Sequence, residues 1–339
     1  MADDALTVAV LGAAGLAGRE VVRLLDERQF PMRALRLLGS PRTAGAPFEE
    51  GERSGRVDLV RAEAFEDVDV AIFSGGPALA GEWAAAATAA GAAVIDTSSR
   101  FRFDPHIPLV VPEVNAPAIA AWREQGIVAS PSSTAIGLAV VLAPILAEAG
   151  LRRVTAITYQ SIAPRGRRAL DALARQSAAL LSGRGSRRNK LVHNLAFNVV
   201  PQVGALEPGG ATTHEVQVLA EVRRVLEQPA LRLHVGAARV PTFFGTGIDC
   251  TIETERALPP DAAAALLRDA RGIVLHRGDA DPYPTPADVI GTGATHVGRV
   301  RIDPTVEHGL ACWIAIDNVG KGSALNAVQI AEILVRDHR

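Results

Sequence analysis

The beginning of the chain combines a strand-like run, a glycine-rich turn and a helical pattern. Residues 7–11 (TVAVL) are apolar and partly β-branched, and residues 12–18 (GAAGLAG) follow at once. Apolar residues then recur at helical spacing over residues 21–25. Strand, glycine turn and helix in this order open a βαβ unit. The glycines let backbone N–H groups approach a pyrophosphate at the positive end of the helix. The pattern therefore favours nucleotide binding over a turn that uses glycine for steric reasons alone.

The alternation of strands and helices continues through the first part of the chain. Strand-like runs occupy residues 35–38, 68–73 and 92–95, and an alanine-rich helix is predicted over residues 78–90. Alternation of this kind is typical of a parallel sheet covered by helices. We therefore predict an α/β fold with a doubly wound sheet over roughly the first 130 residues.

The pattern changes after residue 133. Strands are predicted over residues 154–160, 231–235, 248–253, 297–302 and 311–316, and helices over residues 137–149, 167–181 and 260–269. Residues 182–189 (SGRGSRRN) are polar and glycine-rich, which indicates a loop. Long strands with fewer helices predict a second, α+β domain whose sheet is mostly antiparallel. The last predicted helix, residues 323–337, has a strongly apolar face and no partner nearby in the sequence.

The turn after the second predicted strand indicates which nucleotide is bound. NAD sites place Asp or Glu there to bind the ribose 2′-hydroxyl, whereas NADP sites place an Arg that accommodates the 2′-phosphate. This chain has Ser40, Arg42 and Thr43 in the segment SPRTAG, which contains no acidic residue. The segment predicts NADP, and the alternative is a solvated surface turn.

Charge and composition exclude several classes of protein. Lys and Arg total 35 against 37 Asp and Glu, so the formal net charge is −2, whereas a nucleic-acid-binding domain is expected to be basic. The longest apolar stretch, residues 135–147, contains Gly137 and Pro144 and is shorter than the roughly 20 residues that cross a bilayer. The first residues lack the basic flank of a signal peptide. Cys250 and Cys312 match neither a disulfide framework nor a zinc site. We expect a cytoplasmic protein that binds no metal, nucleic acid or membrane.

Sequence blocks spread over nearly the whole chain follow one another in a characteristic order. They are VLGAAGLAG (10–18), SPRTAG (40–45), VIDTSSRFR (94–102), PLVVPEVN (108–115), TYQ (158–160), AFNVVPQ (196–202), ARVP (238–241), VGRVRID (297–303) and DNVGKGSALNAVQIAE (317–332). Blocks of this length in this order are not expected by chance. The chain resembles the aspartate-semialdehyde dehydrogenase family.

The resemblance implies an architecture and a reaction. Residues 1–133 and 318–339 would form an NADP-binding Rossmann domain, on which the final helix packs. Residues 134–317 would form an inserted α+β domain for dimerisation and catalysis, similar to the C-terminal domain of glyceraldehyde-3-phosphate dehydrogenase. A homodimer is implied. The family reversibly reduces β-aspartyl phosphate with NADPH to aspartate semialdehyde and phosphate, through a cysteine thioester and a histidine acid/base.

The resemblance also implies binding residues. Arg102 matches the arginine for the phosphate group, Gln160 the glutamine that orients the substrate, Arg239 the arginine for the substrate carboxylate, and Glu215 the glutamate for the substrate amine. The cofactor-binding positions would be Gly12, Ala13, Ala14, Gly15, Leu16, Ser40, Arg42, Thr43 and Asn318. Each of the four polar side chains alone is compatible with a structural ion pair or hydrogen bond. Together they favour a site for this small-molecule substrate.

The chain departs from the family at the reactive positions. Ser133 stands where the family has its nucleophilic Cys, and Thr246, seven residues after Arg239, stands where it has His. A serine hydroxyl needs an adjacent base, and threonine cannot transfer protons near pH 7 as histidine does. Gln217 replaces a phosphate-binding lysine and Gly320 an arginine. Residues 163–166 (APRG) replace a small loop near the nicotinamide.

These departures suggest a family member that binds NADP(H) and dimerises but is impaired in the usual reaction. The pattern resembles the Usg-type paralogues that accompany the true enzyme in some bacteria, and residues 29–31 (QFP) and 196–202 fit that group. The alternative is a working NADP-dependent oxidoreductase on aspartate semialdehyde or a related aldehyde. A serine hydrolase built on Ser133 is disfavoured, because the sequence shows no His or Lys that can be placed beside it.

Overall fold

The computed structural model describes residues 5–183 and 194–337, which fall into two compact units. The first unit ends at Ser132 and resumes at Gly322, and the second runs from Ser133 to Lys321. Most of the predicted loop 182–189 lies outside the described residues. No described helix is both long and apolar enough to cross a membrane.

Among the described residues, the first unit contains a six-stranded parallel sheet in the order β5-β2-β1-β6-β7-β8. Its strands are β1 (Leu6–Leu11), β2 (Met32–Gly39), β5 (Asp58–Leu59), β6 (Val70–Phe73), β7 (Ala93–Asp96) and β8 (Ile127–Ala129). Its helices before residue 133 are α1 (Leu16–Glu27), α2 (Pro77–Ala89) and α3 (Pro112–Asn115), with 3₁₀ turns at Ala62–Phe65 and Ala116–Glu124. The predicted doubly wound parallel sheet is confirmed. The hairpin β3 (Pro47–Glu50) and β4 (Arg53–Arg56) was not predicted.

The end of the described chain returns to this unit. A π-helical turn, Gly320–Leu325, leads into α8 (Asn326–Asp337), so only the second part of the predicted helix 323–337 is α-helical. Val328, Ala331 and Leu334 of α8 lie in one buried apolar cluster with Val21 and Leu25 of α1. The apolar face that had no partner in the sequence is thereby buried.

The second unit contains a mixed six-stranded sheet in the order β10-β9-β11-β14-β13-β12, described over the residues that the structure covers. The strands are β9 (Arg153–Gln160), β10 (Arg232–Arg239), β11 (Thr246–Glu253), β12 (Ile273–Leu275), β13 (Thr295–Ile302) and β14 (Gly309–Ile316). The helices are α4 (Ser133–Ala149), α5 (Arg167–Leu181), α6 (Thr213–Val225) and α7 (Pro260–Asp269). Antiparallel pairs join β9, β11, β14 and β13, and the two outer pairs are parallel. The α+β prediction is confirmed, but α6 was missed.

The two cysteines lie in the middle of this sheet. Cys250 on β11 is directly opposite Cys312 on β14, and both thiols are free and buried. The neighbouring Cys312 thiol and burial raise the pKa of Cys250 well above its usual value, because both disfavour the thiolate. These thiols therefore belong to the apolar interior of the sheet.

Candidate functional site

The glycine turn after β1 lies where the strand order of the first sheet reverses. β1 pairs with β2 on one side and with β6 on the other, which makes this edge the switch point where nucleotides bind in such sheets. Gly12 has a φ angle of +91°, and a Cβ there would lie 2.5 Å from the backbone nitrogen of Gly75. Gly18 is equally constrained, since its Cβ would lie 2.3 Å from the carbonyl oxygen of Gly12. Both positions require glycine.

The remaining residues of the turn link β1 to its helix. The backbone N–H groups of Gly12 and Ala13 donate to the carbonyl of Leu38 at 2.8 and 3.2 Å. Ala14 and Gly15 follow, and Gly15 precedes the first residue of α1, Leu16. The positive end of α1 therefore opens at the carboxyl edge of the sheet, where an anion is stabilised.

A second glycine turn, which the sequence analysis missed, faces the first. Ser74, Gly75 and Gly76 follow β6, and Gly76, with a φ angle of +91°, precedes α2. Among the described residues, the buried hydroxyl oxygen of Ser74 has no hydrogen-bond partner. A Gly-Gly-Pro sequence directly after a buried strand was the available signal. This side chain could bind a polar group of a cofactor.

The turn after β2 lies at the same edge of the sheet. The backbone N–H and the hydroxyl of Thr43 both donate to the carbonyl of Ser40, at 2.9 and 3.3 Å. Arg42, between them, is exposed. Ser40, Arg42 and Thr43 are thus brought next to the glycine turn, because β2 is the neighbour of β1.

Arg102 is anchored at the ends of the next strands. It is 8% exposed; its Nε donates to the carbonyl of Ser130 at 2.9 Å and its guanidinium to the carbonyl of Thr97 at 2.7 Å. Burial raises the pKa of nearby Asp96, although hydrogen bonds from Ser98 and the charge of Arg102 act in the opposite direction. Arg102 therefore has a structural role here, and a role in phosphate binding stays a prediction.

Three of the predicted site residues form a row across the second sheet. Gln160 on β9 is in register with Arg239 on β10 and with Thr246 on β11. Residues in register on neighbouring strands lie side by side, with strands about 4.8 Å apart. Their exposed fractions are 4% for Gln160, 7% for Arg239 and 1% for Thr246. The sheet thus brings together three polar side chains that are distant in the sequence.

The Gln160 amide is the centre of a hydrogen-bond cluster at the beginning of two helices. Its Nε2 lies 3.1 Å from the hydroxyl of Thr134 and 3.3 Å from that of Thr158. It also lies 2.5 Å from Nε2 of His214, which is 3.5 Å from the Thr134 hydroxyl. Thr134 is the second residue of α4, directly after Ser133, and His214 is the second residue of α6. The sequence placed no histidine beside Ser133; in the structure His214 approaches the adjacent residue, Thr134, and a serine hydrolase stays disfavoured.

Glu215, the neighbour of His214, is used to hold the backbone. Its carboxylate accepts the backbone N–H of Thr212 at 2.6 Å and that of Ala237 at 2.8 Å, and the Thr212 hydroxyl caps the helix in return. Both carboxylate oxygens have partners, and Glu215 is not in the cluster around Gln160. A Thr followed three residues later by Glu is the capping-box spacing, so the sequence held a signal for this role. A role for Glu215 with a substrate amine has no support in this geometry.

Arg239 provides a buried positive charge. Its guanidinium donates to the carbonyl of Ser161. Burial, together with the charge of Arg165, lowers the pKa of Arg239 to about 10, so it remains protonated at neutral pH. Arg165 lies in the short 3₁₀ turn Ala163–Arg165, within the predicted departure 163–166. The row thus contains one guanidinium group, and the charge of a second, Arg165, acts on it; both favour an anionic ligand.

Asn318 and its neighbours lie in the loop after β14, beside the end of this row. Asn318 Oδ1 accepts the backbone N–H of Gly245, just before Thr246, at 2.7 Å. Asp317 accepts the N–H groups of Gly291 and Val319, both at 2.9 Å. A Cβ at Gly320 would lie 2.5 Å from an oxygen of Asp317, so glycine leaves room for this carboxylate.

The residues present fit a nicotinamide dinucleotide. In the described part of the first unit, Ser74 Oγ is a buried polar atom without a partner, and the close approach of the two glycine turns at Gly12 leaves no space for a Cβ. A bound cofactor could satisfy such an atom. Within the described ranges, no group of three or more His, Cys, Asp or Glu side chains is placed to hold a metal ion.

Family models, a curated relative and a solved structure that resemble this chain are all semialdehyde dehydrogenases. Residues 7–122 match the family described as semialdehyde dehydrogenase, NAD binding domain, and residues 142–321 match semialdehyde dehydrogenase, dimerisation domain. Aspartate-semialdehyde dehydrogenase 2 of Vibrio cholerae is 39% identical over 98% of both chains. The crystal structure of aspartate semialdehyde dehydrogenase II from Vibrio cholerae complexed with ASA has a TM-score of 0.95 at 38% identity, covering 99% of both chains.

A more distant structure shares the fold. The aspartate semialdehyde dehydrogenase with NADP from Candida albicans has a TM-score of 0.74 at 19% identity, covering 97% of this chain and 98% of its own. The family matches extend over most of the sequence, and the curated relative corresponds to it almost from end to end. The chain belongs to the aspartate-semialdehyde dehydrogenase family.

Proposed function

We propose that this chain is an NADP(H)-binding, homodimeric family member of the Usg type that is impaired in the usual reaction. The observation that supports it is the row on the second sheet. Gln160 and Arg239 are retained there, but the third position is Thr246 and the first residue of α4 is Ser133. Two of the substrate-binding residues are thus kept while the reactive residues are replaced.

The two replacements remove different parts of the chemistry. A thiol with a pKa near 8.5 is partly ionised to the thiolate at neutral pH. A serine hydroxyl stays protonated there and needs an adjacent base to act as a nucleophile. Thr246 offers a hydroxyl that does not titrate near pH 7, where imidazole does. In subtilisin, another enzyme, loss of either nucleophile or base lowers kcat by about 10⁶-fold. One such loss would be damaging, and this chain has both.

The cofactor proposal rests on the first unit. The Gly12 turn would hold the pyrophosphate, and Arg42 with Ser40 and Thr43 would bind a 2′-phosphate at the neighbouring strand end. The presence of NADP in a structure with the same fold supports this choice. When bound, NADPH would supply a hydride.

The test is phosphate-dependent formation of NADPH from aspartate semialdehyde by the purified protein. We expect no turnover above background for the wild type. The double variant Ser133→Cys/Thr246→His should recover part of the activity, because Gln160 and Arg239 remain in place. Recovery should be incomplete, since misplacement by about 1 Å can cost on the order of 10²-fold. Each single variant should stay near background, as residues that act as a unit do.

Two results would contradict impairment. Robust wild-type turnover that is abolished by Ser133→Ala would make Ser133 a nucleophile. Robust turnover that survives Ser133→Ala would indicate direct hydride transfer from the hydrated aldehyde to NADP without a covalent enzyme intermediate. The position of His214 favours the latter as second candidate function, because an imidazole nitrogen that accepts a hydrogen bond beside Gln160 could take up the proton that a hydrated aldehyde loses as its hydride leaves.

A further inference from the structure

The Gln160 amide is a donor in this cluster, and the acceptors around it already receive it: the hydroxyls of Thr134 and Thr158 and Nε2 of His214. Gln160 donates its amide to Nε2 of His214, so that nitrogen is an acceptor and neutral His214 carries its proton on Nδ1. Arg239 and Arg165 add two guanidinium groups, which can only donate. The N-termini of α4 and α6 both begin at this cluster and add positive potential. The potential of the cluster therefore suits an anion.

The acidic residues of the adjoining motifs are already engaged. Both carboxylate oxygens of Glu215 accept backbone N–H groups, and so do both of Asp317. Neither carboxylate can bind an ammonium group without giving up a backbone partner, which would leave a buried or half-buried N–H without its hydrogen bond. The residue that approaches Gln160 from α6 is the imidazole of His214 instead.

We propose that His214 makes this site select four-carbon acids that lack an α-ammonium group. The inference rests on the proposed function, in which Arg239 and Gln160 bind a substrate of that length. An ammonium group has only donors, and it would meet the guanidinium charges of Arg239 and Arg165 and an imidazole whose acceptor nitrogen already receives the Gln160 amide. Like-charge contact of this kind discriminates against a ligand even where its carboxylates fit.

Succinate and L-aspartate provide a direct test, because they differ only in the α-ammonium group. Calorimetric titration of the full-length protein, saturated with NADP, should give a Kd for succinate about tenfold lower than for L-aspartate. In His214→Glu, the new carboxylate stands at the second position of α6, where an acidic residue is favourable. This variant should bring the two affinities together or reverse their order.

A matched control adds the same charge on the same helix. Val216 is 49% exposed, so Val216→Glu should leave the succinate preference unchanged. His214→Gln, which offers an amide oxygen to an ammonium group without adding charge, should narrow the preference and covers the case in which His214→Glu does not fold.

The outcomes separate the two proposals. Equal or tighter binding of L-aspartate by the wild type would overturn the role of His214 while leaving the proposed function intact. Absence of binding for both acids, with no difference between the wild type and Arg239→Ala, would overturn the four-carbon acid site itself. A preference for succinate that His214→Glu does not alter would show that the selectivity resides in the guanidinium groups and would also overturn the role of His214.

Discussion

At the scale of single residues, Arg42 is the side chain on which the choice of cofactor depends. It is exposed in the turn after β2, next to the glycine turn of β1. A guanidinium donates two parallel hydrogen bonds to phosphate, whereas it gains little from a ribose hydroxyl. We expect Arg42→Ala to weaken NADP binding by about tenfold or more and to change NAD binding little. Calorimetric titration with both nucleotides measures the difference.

The same strand supplies the control for this prediction. Arg33 is exposed at the opposite end of β2, so Arg33→Ala removes the same charge far from the turn. It should leave both affinities unchanged. Equal losses for NADP and NAD in Arg42→Ala would mean that Arg42 does not contact the 2′-phosphate.

Residue roles could be predicted only in part. The resemblance identified Gln160, Arg239 and Thr246, but their common row depends on pairing between strands far apart in the chain. His214 was missed because the adjacent Glu215 is the residue type that the resemblance assigns to the substrate amine. The helix cap decides between them, since it takes the Glu215 carboxylate and leaves His214 to approach Gln160.

At the scale of elements, α8 completes the core of the first unit. Val328, Ile330 and Leu334 are buried, and each such side chain contributes about 1.5–3 kcal/mol to folding. A fragment of residues 1–133 should therefore be insoluble or unstable, because it exposes Val21 and Leu25. Fusing residues 318–339 to it through a flexible linker should restore a cooperative thermal transition.

A control fusion tests whether burial is the cause. The same fusion with Val328→Asp and Leu334→Asp should remain unstable, since both substitutions place charge in the core. A soluble, cooperatively melting 1–133 fragment would contradict the role assigned to α8.

Element positions were easier to predict than their ends. The apolar runs of β1 and β14 locate these strands well, because most residues of both strands are buried. β10 extends to Arg239, beyond the predicted residue 235, because Gly236 and two alanines interrupt the apolar pattern without ending the ladder. The hairpin β3–β4 is short and mostly exposed, so periodicity gave no signal for it.

At the scale of the whole molecule, the second sheet has a face turned away from α4 and α6. Tyr159, next to Gln160 on β9, points to that face, where its ring lies 5.8 Å from that of Trp313 and is 37% exposed. We expect a homodimer that uses this face, in keeping with the dimerisation domain of the family. Sedimentation velocity at micromolar concentration should give a dimer.

A charge on this face should dissociate the dimer. In a two-fold interface each substitution occurs on both surfaces, so Tyr159→Glu should shift the protein towards monomer. Phe103→Glu alters a comparably exposed aromatic residue of the first unit and should leave the dimer intact. A stable wild-type monomer, or a Tyr159→Glu protein that sediments as a dimer, would contradict this interface.

The discontinuity of the first unit has a consequence for synthesis. The ribosome makes β1 to β8 first, then about 190 residues of the second unit, and only then α8; at about 5–20 residues per second this takes roughly 10–40 s. During that interval the first unit lacks α8, so Val21 and Leu25 of α1 have no partner helix. The second unit can already fold. The nascent first unit should therefore be a substrate for chaperones that bind exposed apolar surface, until translation reaches α8.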